Sequence, residues 1–366
     1  MAEKKWICIT LLLGFFVALA PATLQAAEKL PKPDRIPVVS SPAQTALIKE
    51  GIALHDAGNF DGAIAKYEQV LAEQPAAVDA MYELAYSHTG KKDCGKAITI
   101  ARQGAAYQSG LLPQFHMLIG NCLDDMGKRD EAIDVYKAAI KTTPGFPLLH
   151  YNLGLSYMRT GKLDDARKAL QESLHLNPNH GSSHYLLSTI YQQLGYRVPA
   201  TLALSRFLTI EPNGPRTVDA LGRLQSLLGS GVSRSETSNE LSIILPAKSK
   251  KDEGDFDSVA VAISLSVAAA QMTGEKKDRS PFNAISRNYA VISEILARPE
   301  SSGKGFAVEY YAPFFADLHK QGFIEAFVYH TFPVARLEGS AEWAQENPTK
   351  VNDFRQWLSG YRWPTR

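Results

Sequence analysis

The sequence has little of what marks an enzyme or a nucleic-acid-binding protein. Lysine and arginine (39) nearly balance aspartate and glutamate (38) over 366 residues, so no basic excess is available to hold a polyanion. The motifs G-x-S-x-G, H-E-x-x-H and C-x-x-C are missing, and Ser302–Gly305 lacks the first glycine and the serine or threonine that a phosphate loop needs. We therefore expect no nucleic-acid partner, no catalytic residues and no cofactor.

Long apolar runs are also scarce, and the one of most interest lies at the N-terminus. Two lysines precede the apolar segment Trp6–Ala20, and small residues follow up to Ala27. This order predicts a secretory signal over residues 1–27, cleaved near Ala26 or Ala27. The segment is shorter than the roughly 20 residues of a membrane-spanning helix, and an uncleaved anchor is the alternative. We expect an exported protein, periplasmic or extracellular, with no stable membrane span after cleavage.

What the chain does contain is a repeat of 34 residues. One pattern of six positions occurs three times between Pro113 and Asn213. The copies are Gly120, Leu123, Gly127, Ala132, Tyr136 and Pro144; then Gly154, Tyr157, Gly161, Ala166, Leu170 and Pro178; then Ser188, Tyr191, Gly195, Ala200, Leu204 and Pro212. Apolar residues fall at helical spacing within each copy, the central glycine supplies a turn, and the proline ends the second helix. Each copy is therefore predicted to be a helical hairpin.

A 34-residue helix-turn-helix unit with this pattern resembles the tetratricopeptide repeat family. Reading backwards in frame gives a first copy through Gly51, Leu54, Gly58, Ala63, Tyr67 and Pro75. A degenerate second copy keeps Ala85 and Ala97 in register, but Gly104 falls in mid-helix and Ser109 replaces the proline. The resemblance covers residues 44–213, with a capping helix over 215–228, and it implies an all-α, right-handed solenoid of about five hairpins.

The resemblance does not extend to the ends of the chain. A Pro-rich tether over 28–43 precedes the repeat array at 44–229, and a linker over 230–255 that begins with glycines and serines follows it. Residues 256–366 are expected to form a second, mainly helical domain rich in large aromatics, which either holds its own core or caps the array. Its predicted helices cover 256–272, 281–297, 308–320 and 348–358, whereas the pattern over 323–332 fits a helix or a strand.

The resemblance also implies where a partner would bind. In this family the first helices line the concave face, and the equivalent positions here are Ile48, Ile52, His55, Tyr82, Tyr86, Met117, Asn121, Asp124, Tyr151, Leu155, Met158, Tyr185, Thr189 and Gln192. Tyr82, Tyr151 and Tyr185 share one repeat position, and such amphipathic rings suit an extended peptide or a partner helix. The alternative is that some of these residues pack against the second domain. The lysine and asparagine pattern that clamps a C-terminal carboxylate in chaperone-binding relatives is absent.

Histidines and cysteines raise two further possibilities. His116, His150 and His184 recur every 34 residues, but stacked helices lie about 8 to 10 Å apart, too far for ligands of one metal. We interpret these histidines as an inter-helix packing position and expect no metal site. Cys94 and Cys122 fall near each other in the repeat register, so a disulfide and a pair of buried thiols both stay open.

The sequence favours an exported, non-enzymatic adaptor or scaffold whose concave groove binds a partner protein or an extended peptide. Asp317, His319 and Glu325 lie close in sequence, and we interpret them as the solvated face of a helical turn. The alternative is that residues 256–366 form a divergent enzyme or small-ligand-binding domain whose partner the repeats recruit. A deep polar pocket there with a strongly shifted carboxylate or histidine would favour that alternative.

Overall fold

The computed structural model describes residues 29–234, 241–244, 251–272, 280–298, 303–332 and 337–365. The predicted signal at 1–27 lies outside the described residues. Regular structure in these ranges is helical except for one short hairpin of strands. No helix among them combines the length and the apolar character that crossing a bilayer requires.

Five helical hairpins make up the first part of the chain. Their helices are α1 (Pro42–Asp56) and α2 (Phe60–Glu73), α3 (Val78–Gly90) and α4 (Cys94–Gly104), α5 (Leu112–Asp125) and α6 (Arg129–Thr142), α7 (Pro147–Arg159) and α8 (Leu163–Leu176), and α9 (Gly181–Leu194) and α10 (Arg197–Ile210). A further helix, α11 (Thr217–Gly229), packs on α10 and closes the stack where a capping helix was predicted. Each hairpin packs on the next, so the predicted helical solenoid is confirmed.

A residue in the left-handed conformation joins the two helices of every hairpin. Gly58, Gly127, Gly161 and Gly195 have φ between 74° and 83°. In the degenerate second hairpin Lys92 takes this position with φ 60°, which costs a non-glycine residue about 1 to 2 kcal/mol. The second repeat therefore keeps the turn geometry of its neighbours without their glycine.

In hairpins one, three and four the paired helices approach closely because a glycine in the first helix faces a large side chain in the second. A Cβ atom on Gly120 would lie 2.3 Å from the Tyr136 ring, which no side chain tolerates. Gly104 was predicted to fall in mid-helix, and this was wrong: it is the last residue of α4. The Phe115 ring occupies the space where a Gly104 side chain would be, so α4 and α5 meet across a contact that the regular repeat pattern does not contain.

The Pro-rich segment before α1 is hydrogen-bonded to the junctions between hairpins. The Arg35 amide donates to the Ala106 carbonyl at 3.0 Å, and the Val38 amide donates to the Ala76 carbonyl at 3.1 Å. The Ser40 hydroxyl donates to Asp79 at 2.8 Å. From Lys29 onwards, the segment predicted as a tether thus follows one edge of the first repeats.

After α11 the chain forms two short antiparallel strands and then a set of packed helices. These elements are β1 (Val232–Arg234), β2 (Leu241–Ile243), α12 (Asp257–Met272), α13 (Pro281–Leu296), a π-helical turn (Ala307–Tyr311), α14 (Ala312–Gln321), α15 (Ile324–Thr331), α16 (Ser340–Glu346) and α17 (Pro348–Gly360). The four predicted helices are present, and the ambiguous 323–332 segment is helical. The helix α16 was not predicted.

The C-terminal helices share one continuous apolar core with the repeat array. In α10 every residue from Val198 to Thr209 is buried, because hairpin partners cover one side and α12, α15 and the π-helical turn cover the other. The Tyr289 hydroxyl of α13 is hydrogen-bonded to Ser205 in the middle of this contact. The second half of the chain therefore covers the outer side of the last hairpin.

A carboxylate from the predicted linker lies at the centre of this junction. Glu253 is fully buried and accepts hydrogen bonds from Arg167, from Gln171 Nε2 at 2.7 Å, from the Tyr191 hydroxyl at 2.7 Å and from the Ala307 amide at 3.0 Å. Burial lowers the pKa of Arg167, but the charge and hydrogen bond of Glu253 together with the charge of Asp252 outweigh burial, so the pKa lies above its usual range. One acidic side chain thus connects α8, α9 and the π-helical turn. We call Glu253 and its partners Arg167, Gln171, Tyr191 and Ala307 the Glu253 clamp.

Candidate binding groove of the repeat array

The inner face of the array is formed by the first helix of each hairpin. Successive first helices, from α1 to α9, contact each other more extensively than successive second helices do, so the first helices line the narrower, concave side. The C-terminal helices pack on α10 and α11 and on the buried side of α8 and α9. The concave side of the first four hairpins stays open in the part of the chain described.

Three rings form a stacked row at the N-terminal end of this concave side. The His55 and Tyr86 rings are stacked with centroids 4.8 Å apart, and Tyr86 and Tyr82 are stacked at 6.2 Å. Tyr82 in turn packs edge-on against the buried Phe115 ring at 5.7 Å. Tyr86 is 47% exposed although it is stacked between two rings. We call His55, Tyr82 and Tyr86 the aromatic row.

Carboxylates border the aromatic row. Burial, followed by the charges of Asp56 and Asp79, raises the pKa of Glu83 above its usual range. Burial of Tyr82, followed by the Glu83 charge, raises the pKa of Tyr82. Glu83 therefore lies close enough to the aromatic row to affect its ionisation, and Asp56 and Asp79 lie close enough to affect Glu83. Sequence reasoning missed this feature.

The middle of the groove is more apolar. Met117, Tyr151, Leu155 and Met158 are half-buried against the core, and Asn121 is exposed between them. The Asn121 carbonyl oxygen accepts from the Tyr136 hydroxyl at 2.7 Å and from Asn152 at 3.0 Å, which fixes its amide. Tyr151 packs edge-on against His180 at 4.9 Å. These predicted groove residues are thus brought together on one surface.

The predicted groove residues of the fifth hairpin are engaged by α11. The Tyr185 hydroxyl donates to Asp219 at 2.6 Å, and the guanidinium groups of Arg216 and Arg223 lie 5.2 Å and 4.9 Å from its ring. Arg223 also donates to the Gln192 side chain at 2.9 Å. The Thr189 hydroxyl donates to the Tyr185 carbonyl at 3.2 Å. Tyr185 and Gln192 thus attach the capping helix to the fifth hairpin.

Two other predicted groove residues offer no surface to a partner. Ile48 is 6% exposed and belongs to the core of the first hairpins, whereas its neighbour one turn on, Ile52, is half-buried. Asp124 is 7% exposed and is paired with Arg159 and, at 3.7 Å, with Arg129. Its carboxylate connects adjacent hairpins instead of pointing to solvent.

Two of the three repeated histidines hold the turn that precedes their own first helix. His150 Nε2 lies 3.0 Å from the Pro144 carbonyl oxygen, and His184 Nε2 lies 3.0 Å from that of Pro178, six residues earlier in both cases. His116 is buried, and both its ring nitrogens have no partner in the described structure. Since Ser109 stands where the third repeat would be preceded by proline, this junction has a different shape. In the described ranges no cluster of metal-binding side chains is found.

The two cysteines beyond the predicted signal lie side by side with free thiols. Burial raises the pKa of Cys122, and the adjacent Cys94 thiol raises it further. The two cysteines are therefore neighbours, as the repeat register predicted, and their oxidation to a disulfide stays a prediction.

In the second half, Asp317 pairs with Lys320 and Glu325 pairs with Lys350 at the surface, while His319 is exposed. Their positions fit the solvated face that we expected.

The hairpin array belongs to a known class of helical solenoids. Residues 48–110, 120–161 and 147–180 match family models described as tetratricopeptide repeats. The chain is a tetratricopeptide repeat protein over these residues, as the 34-residue pattern predicted. No curated protein matches the sequence.

Solved structures with a similar fold include three bacterial proteins. PilF of Pseudomonas aeruginosa is 22% identical, with a TM-score of 0.45, covering 50% of this chain and 84% of that one. A thermophilic tetratricopeptide repeat protein of Thermus thermophilus is 21% identical, with a TM-score of 0.40, covering 50% and 98%. MamA of Desulfovibrio magneticus is 15% identical, with a TM-score of 0.40, covering 48% and 99%. At these TM-scores the likeness says nothing of what this chain binds.

Proposed function

We propose that the protein is an exported interaction adaptor that binds a partner protein along the concave side of hairpins one to four. The observation that carries this proposal is the aromatic row, which is partly exposed on the concave side of the first hairpins. Rigid amphipathic rings give contact area and a hydrogen bond at low entropic cost. The second half of the chain then stabilises the array from outside.

The chemistry of the groove defines the partner segment. Apolar side chains would pack on Tyr151, Leu155 and Met158, and a lysine or arginine would complement the carboxylates around Glu83. A partner segment with an apolar stripe that ends in basic residues fits both halves of the groove. Such a segment is either extended or one face of a helix.

Substitutions in the groove test this proposal. With a partner captured from an envelope fraction, we expect Tyr86→Ala and Tyr151→Ala each to weaken binding by about 1 to 3 kcal/mol, the usual range for interface anchors. Calorimetric titration would measure the affinity. Because both rings are partly exposed in the free protein, the melting temperature should change little.

Two other tyrosines provide matched controls. Tyr107 lies at the edge of the array beside Arg35, so Tyr107→Ala should leave affinity unchanged. Tyr185→Ala should lower the melting temperature because it removes the contacts with Asp219, Arg216 and Arg223. If the Tyr86 and Tyr151 variants both bind as tightly as the parent, the groove is not the binding surface.

Export is proposed from residues 1–27 alone. Their order of lysines, apolar residues and small residues supports a signal that is removed. N-terminal sequencing of the exported protein is expected to begin near Ala27 or Glu28. If the protein is found only in the cytoplasmic fraction and its sequence begins at Met1, this part of the proposal is wrong.

A further inference from the structure

A separate cleft lies where the C-terminal tail meets the last hairpin, outside the groove. Its volume is about 540 Å³. The lining comes from the turn before α9, the end of α10 and the tail that follows α17. The polar residues among them are Asn179, Arg206, Thr209, Ser359, Arg362 and Thr365.

Arg206 is the distinctive residue of this cleft. It is only 5% exposed, and its guanidinium carbon lies 4.4 Å from the centre of the Trp363 ring. Its Nη2 atom donates to the Asn179 side-chain oxygen at 2.7 Å, whereas its Nε atom has no partner in the described structure. Burial lowers the pKa of Arg206 to about 10. A cation held in this way has lost its water without gaining a counter-charge.

The charged side chains that line the cleft around Arg206 are cations. The cleft lining contains two arginines, Arg206 and Arg362, and no carboxylate among its described residues. A third cation acts nearby, since the pKa of His330 is lowered first by burial and then by the charges of Arg355 and Arg206. Elsewhere in the structure the buried Arg167 has Glu253 as its direct partner. Arg206 differs from Arg167 in lacking such a carboxylate within the described ranges.

We propose that this cleft binds a small organic oxyanion, a carboxylate or a phosphate group, with Arg206 as its main ligand. A guanidinium offers a planar fork that pairs with two oxygens of such a group, and Trp363 and Asn179 hold this fork in one orientation. Arg362 also lines the cleft, and its guanidinium supplies further donors. The proposed site is separate from the groove, and its ligand would bind between the last hairpin and the segment that follows α17.

Fluorescence titration of the full chain tests the proposal. Inorganic phosphate and succinate serve as separate probes, in buffer with a fixed chloride concentration, and the Trp363 ring stacked on Arg206 reports binding. We expect saturable binding of at least one probe with a Kd below about 1 mM. A response to phosphate alone identifies a phosphorylated ligand, and a response to succinate alone identifies a carboxylic acid. If neither probe gives a saturable change, the proposal is wrong.

Variants separate a binding role of the arginines from a structural one. Arg362→Ala changes an exposed residue and should weaken binding about tenfold, as expected for one charge-assisted hydrogen bond. Arg206→Met should abolish saturable binding while the unliganded protein stays folded, because it removes an uncompensated buried charge. Lys168→Ala, an exposed cation outside the cleft, should leave the Kd unchanged. Unchanged binding by the Arg362 variant, or an equal loss in the Lys168 variant, would overturn the assignment.

Discussion

Replacing Glu253 by alanine is expected to destabilise the protein by about 3 to 5 kcal/mol, the usual cost of removing one partner from a buried ion pair. The change leaves the buried Arg167 without its closest carboxylate, although Asp252 at 2.9 Å retains part of the pairing. It also removes the acceptor for Gln171 and for the fully buried Tyr191 hydroxyl. Unsatisfied buried donors add to the loss of stability.

Urea denaturation followed by two signals would measure this effect. The tryptophans of the described chain, Trp343, Trp357 and Trp363, all lie in the second half, so their fluorescence reports its unfolding, while circular dichroism reports the whole array. Both transitions should move to lower urea, since the Glu253 clamp joins the two halves. Glu294→Ala, which breaks an exposed pair with Arg298, should stay within about 0.5 kcal/mol of the parent. A loss below about 1 kcal/mol for Glu253→Ala would contradict the account of the clamp.

Mild acid is expected to destabilise the fold through buried histidines. Burial lowers the pKa of His116 from its ordinary value of 6.5 to about 4. Between these values the unfolded chain binds a proton that the folded chain does not, so stability falls as the pH decreases through this window. For His116 alone, linkage gives a loss of about 2 kcal/mol between pH 7 and pH 5. Burial also lowers the pKa of His184 well below its usual value, which adds to the effect.

The variant His116→Leu isolates this contribution. Leucine fills a similar volume and carries no ring nitrogens, so the free energy of unfolding should become less dependent on pH between 7 and 5 by about 2 kcal/mol. The matched variant His150→Leu changes the same position of the next repeat, where the ring is only half-buried and bonds to Pro144. It should keep the steep acid dependence of the parent. Equal pH dependence in the parent and the His116 variant would show that this histidine is not responsible.

Local signals explain how much of the fold the sequence predicted. The 34-residue period predicts the helices, the turn and the close helix–helix contact in each copy. The contact between Gly120 and the Tyr136 ring is an example. The predicted helices of the second half also form, because their apolar spacing and flanking prolines and glycines are local. The position of Gly104 was misjudged because the Phe115 ring that fills its space comes from the next repeat.

Contacts between distant segments explain the rest. Glu253 lies in a charged stretch that was predicted to be a linker, and only the fold places it beside Arg167, 86 residues away. Tyr185 has the groove position of Tyr151, yet Arg216 and Arg223 lie over its ring. No residue spacing predicts the contact of Glu253 with Arg167 or that of Tyr185 with the arginines. The contact between Arg206 and the Trp363 ring could not be predicted for the same reason.

Site-specific photo-cross-linking tests the central claim most directly. A benzoylphenylalanine in place of the partly exposed Tyr86 would report a partner in the concave groove, and the same residue in place of the exposed Asp134 on α6 would report one on the outer side. Our account predicts a cross-link to the captured partner from position 86 and none from position 134. A cross-link from position 134 with none from position 86 would contradict it.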